Sequence, residues 1–280
     1  MGSIIKKVAD TAKVISLPDT YLKLKSLLDE PDFNMADIGI LISQDPGLTL
    51  RLLKLVNSSL YSRTVKIETV SHAVSIIGTQ QIHDLVLATC VAETFKGMSS
   101  KIMTMGKFWR KSVYCGVTAR LLSSIHRTTS GERLFVCGLL HDIGHLIMYQ
   151  SIPEECQEAI LKSKRKGVPL YKIERDLFGF DYAKLGGGMM RQWGLPVSLW
   201  EPVQYHVEPQ MAEEYPEETS LTHLSALFTG AIEDKENFNE GIWQADPATW
   251  DATKLTAEQC QTIQGDAEKQ VNEIMNAFFG

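Results

Sequence analysis

The residues of this sequence best suited to chemistry lie in one run, Gly138-Leu139-Leu140-His141-Asp142-Ile143-Gly144-His145. An imidazole and a carboxylate are costly inside an apolar helix, so the His141–Asp142 pair requires compensation. Adjacent helical residues point about 100° apart, yet a metal lying beside the helix can still take a nitrogen from one and an oxygen from the other. A hydrolytic metal site needs about three protein ligands and an open position for water, whose pKa the ion lowers. The pair alone is insufficient. His145, one turn after His141 on the same face, could offer a replacement donor, the other reading being an incidental i, i+4 pair. His72, His83 and His126 have no evident acidic partner by sequence and read as surface or packing residues.

Three other runs invite functional readings. Gly186-Gly187-Gly188 lacks the lysine, the Ser/Thr and the preceding strand of a phosphate loop, and reads instead as a place where a helix approaches a neighbour closely. Lys162-Ser163-Lys164-Arg165-Lys166, the only concentrated basic stretch, reads as a solvated helix end turning at Gly167. The tight Gly78-Thr79 junction between two helices allows a helix-turn-helix reading. The second helix presents Gln80, Gln81, His83 and Asp84 without arginine, so a packed corner is the better reading.

The elements that must position these residues are helical. Asp19 could cap a helix that turns Tyr21, Leu24, Leu27 and Leu28 inward, with Pro31 ending it. Asn34 begins a second, with Met35, Ile38, Leu41 and Ile42 at helical spacing. Asp45-Pro46, a capping carboxylate before a first-turn proline, begins a third. Helices follow over Thr69–Ile77 and up to Phe95, then Phe108–Ile125 and Glu132–Tyr149, the last apolar nearly all round and therefore central. Further helices are expected around Pro153–Lys166, Leu170–Phe178, Tyr182–Trp193, Pro196–His206, Glu217–Ile232 and Thr256–Phe279, with Asn237–Asp251 an irregular connection. Ser62–Glu68 is too brief to found a sheet. Trp193 and Trp200 read as core or groove anchors.

Composition agrees with a folded chain of one large domain or two modest ones. At 280 residues with 44% hydrophobic and 22% charged positions it can bury a real core. A net charge of −6 argues against a general polyanion binder. The five cysteines show no C-x-x-C spacing and sit mostly in apolar helical context, which suggests reduced thiols and a cytoplasmic setting. No segment has the roughly 18 apolar residues of a membrane span, and Met1–Thr11 has no signal-peptide core.

Several motifs in order carry a family resemblance. Val136–Tyr149 resembles the signature helix of HD-type metal phosphohydrolases. Leu41–Thr49 leading to Leu55–Tyr61, and Val70–Ala88 with Ile77-Gly78 inside it, resemble the HDOD branch, the HD-related output domains of bacterial signalling. Glu174, Gly179, Asp181, Gly186, Trp193, Leu195-Pro196 and His206 fall where that pattern expects them, so the resemblance covers roughly Ser16 to Ile232. It implies an all-α, two-lobed domain. Residues 16–98 would form an N-terminal helical lobe and 99–232 an HD-like lobe, after an extension at 1–15, with 233–280 packed on the HD-like lobe and the seam at Gly97–Ser100.

The same resemblance exposes departures. Lys111 stands where metal-competent relatives place a histidine, Tyr182 replaces a second, and Tyr205-His206 keeps one of a His-His pair. Ala226 stands where a late aspartate is expected. Only His141, Asp142 and His206 survive as metal ligands, with His145 as a substitute. Lys111 can instead neutralise Asp142, with Tyr182 and Tyr205 completing a polar cluster around His141. The resemblance implies a bacterial signal-transduction protein that is not catalytic, has no resident cofactor and acts through a protein partner. A nucleotide-like ligand in the inter-lobe cleft is a further expectation. No sensor or output-enzyme domain is recognised in cis. The rival is a phosphohydrolase or cyclic-dinucleotide phosphodiesterase with at least a single divalent metal.

Overall fold

In a computed structural model, residues 2–61, 66–96, 98, 100–126, 130–233 and 245–279 are described, the side chains of 126, 232 and 233 excepted. Every regular element among them is helical. The helices fall into two units, one made of Met1–Ile15 and Gly97–Gln264, the other of Ser16–Lys96 and Gly265–Gly280.

The smaller unit contains α2 (Asp19–Leu28), α3 (Met35–Ser43), α4 (Pro46–Val56), α5 (Val70–Ile77) and α6 (Thr79–Thr94). Asn34, Asp45 and Thr69 cap α3, α4 and α5 by accepting from Ala36, Leu48 and His72 N–H, satisfying donors that a helix start leaves orphaned. Gly78 joins α5 to α6 at φ 98°, a conformation that favours glycine. From Ile82 to Ala92 every residue of α6 is buried, so this helix is a core element and not a groove-reading one. His83 corrects the sequence expectation. It is buried, its Nδ1 lies 3.0 Å from Asp84 Oδ1, and its Nε2 lies 3.0 Å from the Tyr21 hydroxyl. Adjacent side chains met here because both were forced inside.

The larger unit holds α1 (Gly2–Val14), α7 (Met105–His126), α8 (Gly131–Leu140), α9 (Ile143–Ser151), α10 (Pro153–Lys166), α11 (Leu170–Phe178), α12 (Tyr182–Gln192), α13 (Val197–Tyr205) and α14 (Pro216–Glu233). The expected continuous helix Glu132–Tyr149 is broken at His141–Asp142, which form a turn between α8 and α9. Residues 1–15 are more than an extension, because α1 packs on α9 and the Ile15 carbonyl accepts from Trp193 Nε1 at 3.2 Å.

The C-terminal region also differs from expectation. Part of the supposed irregular connection is α15 (Pro247–Thr253), and residues 237–244 lie outside the described set. The expected last helix is two, α16 (Ala257–Gln261) and α17 (Gln264–Phe279). Leu255, Cys260 and Ile263 pack on Leu122, Leu224 and Phe228 of the larger unit. By contrast α17 belongs to the smaller unit, where Glu273 accepts from Ser59 N–H at 2.7 Å. The region 233–280 is therefore divided between the two units, not packed as one piece. Of the seam Gly97–Ser100, positions 97 and 99 lie outside the described residues, as do 62–65 of the Ser62–Glu68 stretch.

Helices of the larger unit approach one another through glycines. A Cβ on Gly116 would lie 2.6 Å from the Phe135 carbonyl, and one on Gly138 would lie 2.7 Å from Cys115 backbone, so α7 and α8 cross backbone to backbone. In the glycine triplet, a Cβ on Gly187 would meet Gln204 Cβ at 2.4 Å, whereas Gly188 has only an Arg191 guanidinium nitrogen at 4.0 Å. Gly187→Ala is expected to lower stability by several kcal/mol through overpacking. Gly188→Ala should raise it by up to about 1 kcal/mol from helix propensity. Urea unfolding of the two variants checks the opposite signs.

Two further devices hold the site's supports in place. Pro202 lies inside α13 and cannot donate to the Ser198 carbonyl; that carbonyl instead faces the Cys137 thiol at 3.8 Å. The buried Glu201 carboxylate accepts from the N–H groups of Glu213, Glu214 and Tyr215, which fixes the chain entering α14.

Candidate functional site

Five helices and one turn bring the chemistry together inside the larger unit. Lys111 projects from α7, His141 and Asp142 occupy the α8–α9 turn, His145 lies on the first turn of α9, Glu174 comes from α11, Tyr182 opens α12, and His206 ends α13. Asp142 is buried, and each of its oxygens already has a cationic donor. Lys111 Nζ lies 2.9 Å from Oδ2, and His145 Nδ1 donates to Oδ1. His145 Nε2 donates to Glu174 Oε1 at 2.9 Å, and Glu174 Oε2 accepts the Tyr182 backbone N–H at 3.0 Å. The His145 ring is stacked between Tyr182, at 4.0 Å between centroids, and Tyr149, at 5.0 Å.

A second branch runs through neutral histidines. His206 Nδ1 donates to the Val203 carbonyl at 2.7 Å, leaving Nε2 to accept from the Tyr182 hydroxyl at 3.0 Å. His141 Nδ1 donates to the Gly138 carbonyl at 2.6 Å, and its ring meets His206 edge-on at 5.4 Å. These carbonyl contacts fix both tautomers. His223 Nδ1 donates to the His206 carbonyl at 2.6 Å, and its Nε2 accepts the Asp246 N–H.

The protonation states follow from this geometry. Burial lowers the His141 imidazole to about 4 and that of His206 to about 3. Burial also opposes a charge on His145, but Asp142 and Glu174 overcome it and raise that imidazole to about 9. Asp142, despite burial, is held well below the usual carboxylate range by Lys111 and His145. Two cations and two carboxylates thus form a neutral set.

A bell-shaped dependence of stability on pH is expected from these shifts. The raised His145 stabilises fully below its ordinary value of 6.5, and this is lost as pH rises toward 9. The lowered His141 and His206 stabilise fully above 6.5, and this is lost as pH falls toward about 4 for His141 and about 3 for His206. Asp142 adds a loss only in stronger acid. Each proton contributes at most about 1.4 kcal/mol per pH unit, so stability should peak near 6.5 with the acid limb the steeper. Urea midpoints from pH 5 to 9 measure this, and His145→Gln should remove the alkaline limb.

Lys111 meets Asp142 as the sequence suggested. The cluster does not form around His141, which among the described residues hydrogen-bonds only the Gly138 carbonyl, while Tyr182 bonds His206. Three further changes stand beside this one. Tyr205 is half-buried at the end of α13 and makes no hydrogen bond to the cluster. Helical rotation points its neighbour His206 inward in its place. His145 pairs with Asp142, three residues back, and does not join His141 as a co-ligand. Glu174, matched to the pattern but given no role, supplies the second carboxylate. Its signal was a charge on the buried stripe of Ile173 and Phe178. Ala226 lines a cavity of about 650 Å³ whose walls include Lys164, Tyr171, Tyr182, His206 and His223.

This donor set does not fit a metal centre. Both oxygens of Asp142 and of Glu174 are engaged, and the His206 lone pair holds the Tyr182 hydroxyl. Among the described residues no three His, Cys, Asp or Glu side chains are arranged to hold an ion.

The HDOD domain model matches residues 14–209. The chain belongs to the HDOD domain family. Its fold is that of other HDOD structures, among them an HDOD domain protein with unknown function from Geobacter sulfurreducens, at TM-score 0.77 and 16% identity over 100% of this chain and 99% of that one. A candidate phosphohydrolase from Shewanella amazonensis SB2B aligns at TM-score 0.73 and 22% identity, covering 97% of each chain. A candidate signal transduction protein from Marinobacter aquaeolei VT8 aligns at TM-score 0.70 and 18% identity, with 98% of this chain and 65% of that chain covered. An uncharacterized protein of Treponema pallidum (strain Nichols) is 24% identical over 219 residues. That match takes in 76% of this HDOD chain and 41% of the relative, so the chain spans about two fifths of the relative's length. Among the described residues, no helix of the HDOD chain is long and apolar enough to cross a membrane.

Proposed function

We propose that this HDOD chain is a bacterial, cytoplasmic signal-transduction protein that works by binding a protein partner and not by turnover. The observation that carries the reading is Lys111 Nζ at 2.9 Å from Asp142 Oδ2, beside the second cation on Oδ1. A carboxylate whose two oxygens each already face a positive donor has its charge offset before a metal arrives, and a lysine ammonium beside it repels one. The charges inside the unit are neutralised by side chains, which stabilises a polar core without a cofactor. Its likeness to a candidate signal transduction protein supports the fold on which the reading stands. The 650 Å³ cavity beside His206 and Tyr182 is large enough for a small ligand.

The rival reading, a metal-dependent phosphohydrolase, has one observation in its favour. His141 presents an unshared Nε2 lone pair while its Nδ1–H is anchored on a carbonyl, the orientation that metal-ligating histidines adopt. Metal analysis of protein purified without chelator separates the two. The binding reading expects substoichiometric metal that is unchanged in His141→Ala. Stoichiometric Mn, Fe, Zn or Ni that disappears in that variant would overturn it.

A further inference from the structure

The α2–α3 pair of the smaller unit is apolar on two faces. Inward, Tyr21, Leu24, Ile38 and Ile42 are fully buried. Outward, Leu22, Met35 and Ile40 are 45%, 46% and 60% exposed. Single exposed apolar residues are ordinary, but Leu22 and Ile40 do not stand singly. Leu22 and Ile40 join Leu27 and Leu41 in a groove of about 500 Å³ between the two helices. With only residues 29–34 connecting them, α2 and α3 run back along one another. Glu30 and Asp37 therefore flank the groove at the turn end, and Lys23 and Gln44 close the other end. Lys23, Glu30 and Asp37 have no ion-pair partner among the described residues. The groove is thus an apolar floor with a negative end and a positive end.

We propose that this groove docks a short amphipathic helix of a partner protein. Its apolar stripe at i, i+3 or i+4 and i+7 would lie on Leu22, Leu27, Ile40 and Leu41. A basic residue at one end would meet Glu30 and Asp37, and an acidic residue at the other would meet Lys23. Lys23, in α2, and Glu30, two residues beyond its end, stand seven residues apart, about 10 Å at helical rise, which matches about two turns of the guest. The proposal deepens the binding reading by naming a surface and the chemistry of its partner. Its test reads peptide affinity, so metal content, which decides the binding reading, leaves the outcome untouched.

The probe is a labelled helical peptide of about 14 residues, about four turns, with a leucine stripe, paired arginines at one end and glutamates at the other. A second peptide has the same stripe flanked by glutamates at both ends. Fluorescence anisotropy with the full chain should show saturable binding of the first peptide and at least about tenfold weaker binding of the second. Ile40→Glu, at a position exposed enough to leave folding intact by circular dichroism, should weaken the first peptide at least about tenfold. Glu30→Lys combined with Asp37→Lys should reverse the preference between the peptides. No saturation by about 1 mM, or affinity indifferent to Ile40→Glu, overturns the proposal. A concentration-dependent dimer that Ile40→Glu abolishes overturns it in favour of a second copy of the chain.

Discussion

Replacing Lys111 with methionine is expected to destabilise the larger unit by roughly 3–5 kcal/mol, the cost of stranding one partner of a buried ion pair. Asp142 is 2% exposed, so water replaces the lost ammonium poorly even though the Lys111 side chain is 20% exposed. His145 remains on the other oxygen, but its second nitrogen is committed to Glu174. The set then carries one uncompensated negative charge. The double variant Lys111→Met/Asp142→Asn should recover much of the loss, because it removes charge of both signs together. A double-mutant cycle built from urea unfolding curves measures the coupling. A loss below about 1 kcal/mol in the single variant would mean that the contact behaves as a surface pair and does not anchor the core.

Gly144→Ala is expected to be at least as damaging, by more than about 4 kcal/mol, although it adds only a methyl group. That methyl would lie 2.0 Å from the Tyr182 carbonyl oxygen and 3.0 Å from Gly186 N, both backbone atoms of α12 that cannot rotate away. The two helices must separate, which pulls the Tyr182 ring off His145 and its hydroxyl off His206. Packing and the polar chain are lost together. Gly230→Ala is the control. It lies in α14 with nothing within 4 Å of a new Cβ, and should be neutral or stabilising by up to about 1 kcal/mol. Soluble yield and thermal melting of the two variants test the contrast.

Much of this was legible in the residues. Asp45-Pro46 declared the start of α4, and Gly167 at φ 62° ended the basic run of α10 as its composition required. The Lys111–Asp142 pairing followed from the family resemblance, which set Lys111 at a ligand position, together with the cost of a buried unpaired charge. What escaped was information that periodicity does not carry. The apolar run through Tyr149 has unbroken helical spacing, so nothing in the pattern marked the turn at His141–Asp142. Sequence proximity suggested that His141 and His145 cooperate, but the turn moved His145 onto Asp142. His83 looked idle because its partners are the adjacent Asp84 and the distant Tyr21. The last helix joined the smaller unit because its packing partners lie some two hundred residues earlier, a distance over which local pattern says nothing.

The ammonium of Lys111 has a consequence for descent as well as for stability. A lineage that acquired a metal at Asp142 would first have to lose that lysine, and the chain carrying the loss would contain a buried, half-satisfied carboxylate. A penalty of several kcal/mol consumes a large share of the 5–15 kcal/mol by which domains of this kind stay folded. His145, already saturated between Asp142 and Glu174, would also have to surrender a proton before any ion could settle beside it. A side-chain cation and an ion at this carboxylate would therefore be separated by a ratchet: with the lysine seated, the intermediates between the two are less viable than either end.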